Sequence, residues 1–232
     1  MRLYIGNKNY SSWSMRPWVL MTQAGIPFEE VKLRFDAFTP DSAFKTELAR
    51  HTPAGRVPVL VDDDGLAIWD SLAIAEYLAE THPDRTLWPE ARADRARARS
   101  VCAEMHSGFS ALRTHWPMNI EARLPEVGTR VLREQPEVRN DLDRIFAIWR
   151  DLLSRRGGPL LFGRFSVADA YFAPVVMRLL TYGVPVPADL QTYLETIQSL
   201  HSVAAWRQEA LAEKDFRPFE EPYRQPPSAS HP

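Results

Sequence analysis

Apolar and polar positions in the first eighty residues alternate between the spacing of a strand and that of a helix. Residues 3–5 form an apolar run that predicts a first strand. Residues 15–24 predict a helix, and Gly25 follows directly as a stop signal. Over residues 29–35 apolar side chains alternate with charged ones, which is typical of a half-buried strand. These segments predict a strand–helix–strand unit.

A second series of short elements completes this region. Residues 41–49 predict a short helix, and residues 57–61 and 66–69 predict two strands. The residues between these strands, 62–65, end in Asp-Gly, which is a strong hairpin signal between apolar runs. Residues 71–81 predict a closing helix. The whole order predicts a parallel βαβ unit followed by an antiparallel hairpin in the same sheet.

Beyond residue 92 the apolar positions recur only at helical spacing. One such series is Val101, Met105, Phe109, Leu112 and Trp116, and a second is Val138, Leu142, Ile145, Phe146, Trp149 and Leu153. We therefore predict an α/β domain over residues 1–82, a linker over 83–92 and an all-helical domain over 93–215. The proline-rich tail, residues 216–232, is expected to be extended or disordered.

Composition limits the function classes. The chain has 232 residues, of which 45% are hydrophobic, and a formal net charge of −2, so neither nucleic acid nor a membrane surface is an expected partner. A single cysteine, Cys102, excludes an intramolecular disulfide and is expected to be a buried apolar residue. The histidines lack ligand spacing, so we expect no metal. No signal-peptide pattern or membrane-length apolar run occurs, and we expect a cytoplasmic protein.

The stretch NYSSWSMRPW at residues 9–18 places three serines, Ser11, Ser12 and Ser14, at a strand-to-helix junction. One interpretation is that a serine caps the helix through its hydroxyl. The other is an anion site, because a helix N-terminus presents free N–H groups and a partial positive charge. A hydroxyl there could donate to a bound thiolate. On this stretch alone both interpretations remain open.

Two further segments carry the same ambiguity. Pro58, inside an otherwise convincing strand, belongs at a strand start, on an edge or in a special turn. Asp70 and Ser71 begin a predicted helix, where either could be a cap or face an anion. By contrast, Ser166 and Asp169 have the spacing of a capping box, and we assign both to structure.

Taken together, SSWSMR at 11–16, AGRVPVL at 54–60 and DSLAIAEYL at 70–78, followed by a helical domain, resemble a cytosolic glutathione transferase. The resemblance covers about residues 1–215. It implies a thioredoxin-like N-terminal domain followed by an all-helical C-terminal domain, a cis bond between Val57 and Pro58, and a homodimer. Glutathione would be the co-substrate and a small electrophile the second substrate.

The resemblance also implies roles for single residues. In the serine-type classes, the zeta class especially, the serine at the position of Ser11 hydrogen-bonds the glutathione sulfur, and Ser12 could share or replace that role. The other implied glutathione contacts are Lys45, Arg56, Val57, Pro58, Asp70 and Ser71. Among these, Arg56 and more loosely Lys45 match the glycine end of glutathione. Val57 matches the cysteinyl backbone, and the Asp70–Ser71 pair matches the γ-glutamyl end.

Departures from the zeta pattern weaken the match to maleylacetoacetate isomerase. Trp13 stands in place of the zeta motif's cysteine, and Met15 in place of its tryptophan. The absence of cysteine from this stretch disfavours omega-like thiol chemistry. A tyrosine-type enzyme using Tyr4 or Tyr10 is the weaker alternative, because Ser11 aligns better. We further expect Ser14, nearer the helix interior, to be the structural cap.

The second substrate is expected to bind against the first helix of the helical domain. Our candidates for its pocket are Met105, His106, Phe109, Arg113 and Trp116. An apolar stripe at this spacing is also typical of a core face, and that alternative stays open. An isomerase of the maleylacetoacetate type would require cationic groups for its dicarboxylate substrate, and Arg178 or Arg113 could serve.

Three functions remain. The first is a glutathione transferase that conjugates small electrophiles. The second is a glutathione-dependent cis-trans isomerase of the maleylacetoacetate type. The third is a non-catalytic binding module, which the joint presence of Ser11, Val57–Pro58 and Asp70–Ser71 disfavours.

Overall fold

The computed structural model describes residues 1–226, and its N-terminal part contains a four-stranded sheet flanked by helices. The elements are β1 (Arg2–Ile5), α1 (Ser12–Ala24), β2 (Glu29–Lys32), α2 (Ala43–Leu48), β3 (Val59–Val61), β4 (Ala67–Ile68) and α3 (Ser71–Thr81). The strand order is β2-β1-β3-β4, with β1 and β2 parallel and the other neighbours antiparallel. The predicted βαβ unit and hairpin are therefore confirmed.

Several boundaries in this region differ from the prediction: β2, α2 and β4 are each shorter than predicted, and the starts of α1 and β3 are displaced. Helix α1 begins at Ser12 rather than at residue 15, so all three serines belong to the helix start. Strand β3 begins at Val59 rather than at residue 57, because Pro58 has no N–H to donate to a neighbouring strand. The Val57–Pro58 bond is cis, as the resemblance implies.

Helices make up the regular structure of the remaining described chain. They are α4 (Arg92–Ser107), α5 (Ser110–His115), α6 (Pro125–Glu134), α7 (Pro136–Arg156), α8 (Val167–Thr181), α9 (Gln191–Ser199) and α10 (His201–Glu213). Short 3₁₀ turns occur at Pro83–Arg85, Ala188–Leu190 and Pro218–Glu220. The two-part fold class predicted from the sequence is confirmed.

The apolar series from Val101 to Trp116 does not form one helix. The chain breaks after Ser107, and Phe109 has a left-handed backbone with φ 55°. A Cβ at Gly108 would lie 2.7 Å from the carbonyl oxygen of Glu104, so this close approach requires glycine. The sequence prediction of a single helix here was wrong because it gave Gly108 no weight.

Helix α1 connects the two domains. It packs against α3 of its own domain and against α8 and α10 of the helical domain. One apolar core runs through both domains, and α8 is buried along nearly its whole length. The capping box of Ser166 and Asp169 at the start of α8 is confirmed. Cys102 is buried, as expected, and burial raises the pKa of its thiol.

The described part of the proline-rich tail is neither extended nor disordered. After α10 the chain turns through Pro218–Glu220 and returns to the N-terminal domain, where the Phe219 ring lies 5.2 Å from that of Phe38. Glu221 is buried. Proline composition misled the prediction because side-chain contacts, not regular secondary structure, hold this segment. The prediction for residues 227–232 falls outside the described residues.

Candidate functional site

The start of α1 presents its first serines to a cleft. Ser11 is the N-cap residue, and its hydroxyl makes no capping hydrogen bond to the helix backbone. Instead it donates to Ser14 Oγ at 2.7 Å, and Ser14 Oγ also accepts from the Gly6 N–H at 3.1 Å. Ser14 therefore links the helix to the loop after β1, and our expectation that it is the cap was wrong.

Ser12 is held from the opposite domain. Its Oγ accepts a hydrogen bond from Arg178 Nη2 at 3.1 Å. Burial lowers the pKa of Arg178 to about 9, which leaves the guanidinium charged at neutral pH. Because a hydroxyl has one proton to donate as well as lone pairs that accept, Ser12 can still donate to a ligand in the cleft.

The first cavity lies at this helix start and has a volume of about 520 Å³. Its lining includes the polar residues Ser11, Ser12, Lys45, Arg56, Arg113, Arg178 and Glu220. Its apolar and aromatic lining includes Tyr10, Trp13, Phe35, Phe38, Phe44, Val57, Pro117 and Met118. Four cationic side chains against a single carboxyl make this cavity suited to anions.

A second cavity, of about 240 Å³, adjoins the first and shares Trp13, Arg56 and Val57 with it. Its remaining lining is Ala54, Pro58, Trp69, Asp70, Ser71 and His106. The two cavities thus bring together residues from three segments far apart in sequence: the α1 start, the Val57–Pro58 turn and the α3 start. All eight residues proposed for glutathione and its sulfur line one or other cavity.

At the α3 start, Asp70 is a cap and also borders the second cavity. Its carboxylate accepts from the Leu72 N–H at 3.0 Å, and its other oxygen lies 3.2 Å from His106 Nε2. Ser71 Oγ shares a hydrogen bond of 3.1 Å with the Tyr171 hydroxyl. The capping interpretation of Asp70 is therefore correct, and it does not exclude a ligand role.

The two cations proposed for the glycine end of glutathione, Lys45 and Arg56, differ in how strongly other groups of the protein hold their side chains. Lys45 Nζ donates to the Gly55 carbonyl at 2.6 Å and lies 5.8 Å from the centres of both the Phe38 and Phe44 rings. Arg56 is exposed and borders both cavities. Arg56 therefore has more freedom to move to a ligand carboxylate.

Three of the five residues proposed for the second substrate do not line either cavity. Met105, Phe109 and Trp116 belong to the buried core, where α4 packs against α8 and Trp116 stacks on Tyr182. The core interpretation of this stripe is correct for them. His106 borders the second cavity and Arg113 the first. The Arg113 guanidinium lies 5.6 Å from the Trp13 ring, and burial lowers its pKa.

Sequence reasoning missed the aromatic wall and the C-terminal contribution. Phe35, Phe38 and Phe44 give no local motif, and Glu220 lies in the segment expected to be extended. Burial, with the neighbouring Glu221 carboxylate, raises the pKa of Glu220 to about 7.

Tyr10 borders the first cavity, but its hydroxyl is already engaged. It donates to Glu221 at 2.8 Å, and burial together with this carboxylate raises its pKa. Tyr4, in β1, lines neither cavity. This geometry gives the tyrosine-type alternative no support.

Within residues 1–226, no group of three or more His, Cys, Asp or Glu side chains is arranged to hold a metal ion. Nor does the described chain contain a helix with the length and apolar character needed to cross a membrane.

Known proteins share this architecture. The family model described as the glutathione S-transferase N-terminal domain matches residues 10–81, and that of the C-terminal domain matches residues 90–210. A probable maleylacetoacetate isomerase of Caenorhabditis elegans is 34% identical over 47% of this chain and 48% of its own, so the match spans about half of that relative. The maleylacetoacetate isomerase of Rattus norvegicus is 29% identical over 75% of this chain and 76% of its own.

A solved glutathione transferase homologue from Burkholderia, with bound glutathione, has a TM-score of 0.65 and 25% identity over 90% of this chain and 97% of its own. The two matching domain models together cover most of the chain and follow each other in the expected order. The chain belongs to the glutathione S-transferase family, and the expectation of a glutathione transferase is confirmed.

Proposed function

We propose that the two cavities bind glutathione with its sulfur at the N-terminus of α1, where Ser11 donates a hydrogen bond to the thiolate. The observation that carries this proposal is the opening of Ser11 and Ser12, at a helix N-terminus, into the cavity that adjoins Val57 and the α3 start. The thiolate then forms a carbon–sulfur bond with a small electrophile bound in the rest of the first cavity. In a substitution the leaving group departs with the electron pair of the broken bond, and in an addition that pair moves onto the electrophile, which takes up a proton from solvent.

The orientation of glutathione follows from the charges along the cleft. Its γ-glutamyl end lies at Asp70 and Ser71, where a carboxylate faces the amine and a helix N-terminus faces the acid. The cysteinyl backbone pairs with the main chain of Val57, which lines both cavities and lies just before β3. The glycine carboxylate lies near Arg56, with Lys45 as a second cation.

The hydroxyl groups of Ser11 and Ser12 have different hydrogen-bond partners within the protein. Ser11 must turn its proton from Ser14 toward the sulfur, after which Ser14 can donate to Ser11 in return. Ser12 accepts from the charged Arg178, which makes its own proton more acidic. We assign the sulfur contact to Ser11, following the motif, with Ser12 as the neighbour that shares or replaces it.

The N-terminus of α1 and a serine hydroxyl together can stabilise the glutathione thiolate enough to lower the pKa of the thiol substantially. Each unit by which the pKa of the thiol falls from about 8.5 needs about 1.4 kcal/mol of preferential stabilisation of the thiolate. A helix N-terminus contributes about 0.3–1 kcal/mol, and a hydrogen bond to a charged group about 1.5–3 kcal/mol. A depression of about two pKa units is therefore expected.

A second candidate, glutathione-dependent cis-trans isomerisation, is supported by two observations. Relatives named maleylacetoacetate isomerase are among the similar proteins. Arg113 and Arg178 line the first cavity beyond the serines and could hold a substrate with two carboxylates. Isomerisation returns glutathione unchanged, whereas transfer consumes it, so assays of maleylacetoacetate and of activated aryl halides separate the two. Failure of both, with glutathione bound, would favour a binding module.

Calorimetry tests the glutathione orientation. We expect the Asp70→Ala, Ser71→Ala double variant to lose glutathione affinity by tenfold or more, since each hydrogen bond to a charged group is worth about 1.5–3 kcal/mol. Tyr171→Phe is the matched control, because it removes the same hydrogen bond from Ser71 without altering the ligand contacts. Unchanged affinity in the double variant would contradict the assignment.

We also propose that the protein is cytoplasmic and forms a homodimer. The edge strand β4 supports an interface there, since Leu66 and Trp69 beside it are exposed apolar side chains. Light scattering on the purified protein tests the dimer, and a monomer at micromolar concentration would contradict it.

A further inference from the structure

The segment that follows α10 forms part of the wall of the first cavity. We call residues 215–224 the C-terminal strap. Its 3₁₀ turn, Pro218–Glu220, brings Glu220 into the cavity lining, and Phe219 contacts Phe38 on the opposite wall. The strap thus spans from the helical domain back to the N-terminal domain.

Charged and polar contacts hold the beginning of the strap. Asp215 accepts two hydrogen bonds from Arg34, at 2.8 and 2.9 Å, and a third from Asn7 Nδ2 at 3.0 Å. The Arg217 N–H donates to the Tyr10 hydroxyl at 3.2 Å. Both Asn7 and Tyr10 belong to the loop between β1 and α1, so the strap is fastened to the loop that leads to Ser11.

Glu221 is the most buried anchor of the strap, with 5% of the residue exposed. Its carboxylate accepts from the Tyr10 hydroxyl at 2.8 Å, from Asn119 Nδ2 at 2.7 Å and from Arg224 Nε at 2.8 Å. A buried carboxylate is stable only when such donors satisfy it, so these four side chains act as one unit.

The hydrogen bonds around Glu221 also extend to Asn9, the residue before Tyr10. Asn119 Oδ1 accepts from Asn9 Nδ2 at 3.1 Å, and Asn9 Oδ1 accepts from the Glu121 N–H at 2.8 Å. The two residues that precede Ser11 are therefore both tied to Glu221, Tyr10 directly and Asn9 through Asn119. This loop has no strand or helix of its own, and main-chain hydrogen bonds from the Tyr10 and Ser11 N–H groups to the Asn7 carbonyl give it only a turn, so the side-chain anchors contribute to where Ser11 lies.

We propose that Glu221 is a positioning residue: through Tyr10 and Asn119 it fixes the loop that sets the Ser11 hydroxyl against the glutathione sulfur, and so makes the C-terminal strap part of the active site. This rests on the proposed function of Ser11. Glu221 acts through other residues and does not contact the substrate.

Tyr10 serves as a tether in this arrangement. Its proton is committed to Glu221, and the raised pKa of its hydroxyl keeps it neutral across the physiological range. The other charged or titratable side chains that line the cavity beside it are Lys45, Arg56, Arg113, Arg178 and Glu220. None of them accepts the Tyr10 proton. Besides Glu221, the Tyr10 hydroxyl contacts two main-chain groups of the strap, the Asp215 carbonyl at 3.4 Å and the Arg217 N–H at 3.2 Å, so loss of Glu221 removes its short, charged acceptor and leaves the longer contact to Asp215.

The test follows the ultraviolet absorbance of the glutathione thiolate in the enzyme complex as pH is varied. We expect Glu221→Ala to raise the pKa of the bound thiol by about one unit, from about 6.5 to about 7.5. This lowers the thiolate fraction, and kcat with it, about threefold at pH 7 and about tenfold at pH 5.5. Glutathione affinity should change less than kcat, because Asp70, Ser71 and Arg56 are untouched. Glu221→Gln keeps one acceptor oxygen and should give an intermediate shift.

Tyr10→Phe removes a single hydroxyl and serves if Glu221→Ala fails to fold. Its shift should be smaller than that of Glu221→Ala, which also loses the Asn119 contact, and should not add to it in the double variant, because Glu221→Ala has already removed the contact with Tyr10. Asp189→Asn, which breaks an exposed pair with Arg150 far from the strap, is the control and should titrate like the wild type. A thiol pKa unchanged in both Glu221→Ala and Tyr10→Phe, or fully additive shifts, overturns the proposal. No thiolate absorbance in the wild type would overturn the proposed function itself, and this inference with it.

Discussion

Arg178 reaches across the domain boundary to hold Ser12: its Nη2 lies 3.1 Å from Ser12 Oγ, and its Nε lies 2.8 Å from the carbonyl oxygen of Trp116. Both contacts are buried. A single guanidinium on α8 therefore joins the start of α1 to the end of α5. The Ser12 hydroxyl is therefore held by the helical domain, whereas the Ser11 hydroxyl is held by Ser14 of its own domain.

Arg178→Ala should lower the free energy of unfolding by about 2–4 kcal/mol, because it leaves the Trp116 carbonyl and the Ser12 hydroxyl without a buried donor. Urea unfolding followed by tryptophan fluorescence measures the change. Arg150→Ala, which removes only an exposed pair with Asp189, should cost less than about 1 kcal/mol. Equal losses in the two variants would show that the interdomain contact adds no stability.

The three serines at the α1 start should separate by function. Ser11→Ala should leave folding intact, raise the pKa of bound glutathione by one unit or more and lower turnover about tenfold for each 1.4 kcal/mol of lost thiolate stabilisation. Ser14→Ala should instead cost about 1–3 kcal/mol of stability, since the buried Gly6 N–H loses its acceptor. If Ser12→Ala shifts the thiol pKa and Ser11→Ala does not, the sulfur contact belongs to Ser12.

The order of elements in both domains could be predicted because hydrophobic periodicity is a local signal. The strands before and after Asp62–Gly65 and the capping box at Ser166 each depend on residues only a few positions apart. The apolar series from Val101 to Trp116 shows what hydrophobic periodicity cannot predict. Its spacing indicates a buried face but not whether a ligand or another helix covers it, and α8 proved to be the cover.

The site could be predicted only where its residues form short motifs. Ser11, Val57 and Asp70 were proposed in this way, and the structure brings them to two adjoining cavities. The contact between Tyr10 and Glu221 joins residues 211 positions apart, and nothing in the local sequence of either indicates the other. Such pairings depend on how the finished domains meet.

Glu220 should make stability depend on pH. Its pKa is raised from an ordinary 4.5 to about 7, so folding favours the protonated carboxyl. The stabilisation is therefore complete below pH 4.5 and is lost as the pH rises through 7, by at most about 3 kcal/mol. Urea unfolding at pH 5 and pH 8 measures it. Glu220→Gln, which cannot ionise, should lose less stability than the wild type over this interval, and an identical loss would contradict the assignment.

Met105 and Arg113, both proposed for the second-substrate pocket, should respond to substitution in opposite ways. Met105 is fully buried, so Met105→Ala should cost about 2–5 kcal/mol of stability and leave the KM for the second substrate unchanged. Arg113 lines the first cavity, so Arg113→Ala should raise the KM for a substrate that carries a carboxylate about tenfold or more, with glutathione affinity unchanged.

The contribution of the Arg113 charge to substrate binding can be separated from the contribution of Arg113 to the fold. Arg113 also donates to the carbonyl oxygens of Gly108 and Met105, so its removal could disturb the α4 end as well as the pocket. Arg113→Lys keeps the cation and should retain most of the affinity for a carboxylate substrate. A neutral aryl halide should be used about equally well by wild type and both variants. An equal rise in KM for the neutral and the anionic substrates would mean that Arg113 acts through the fold alone.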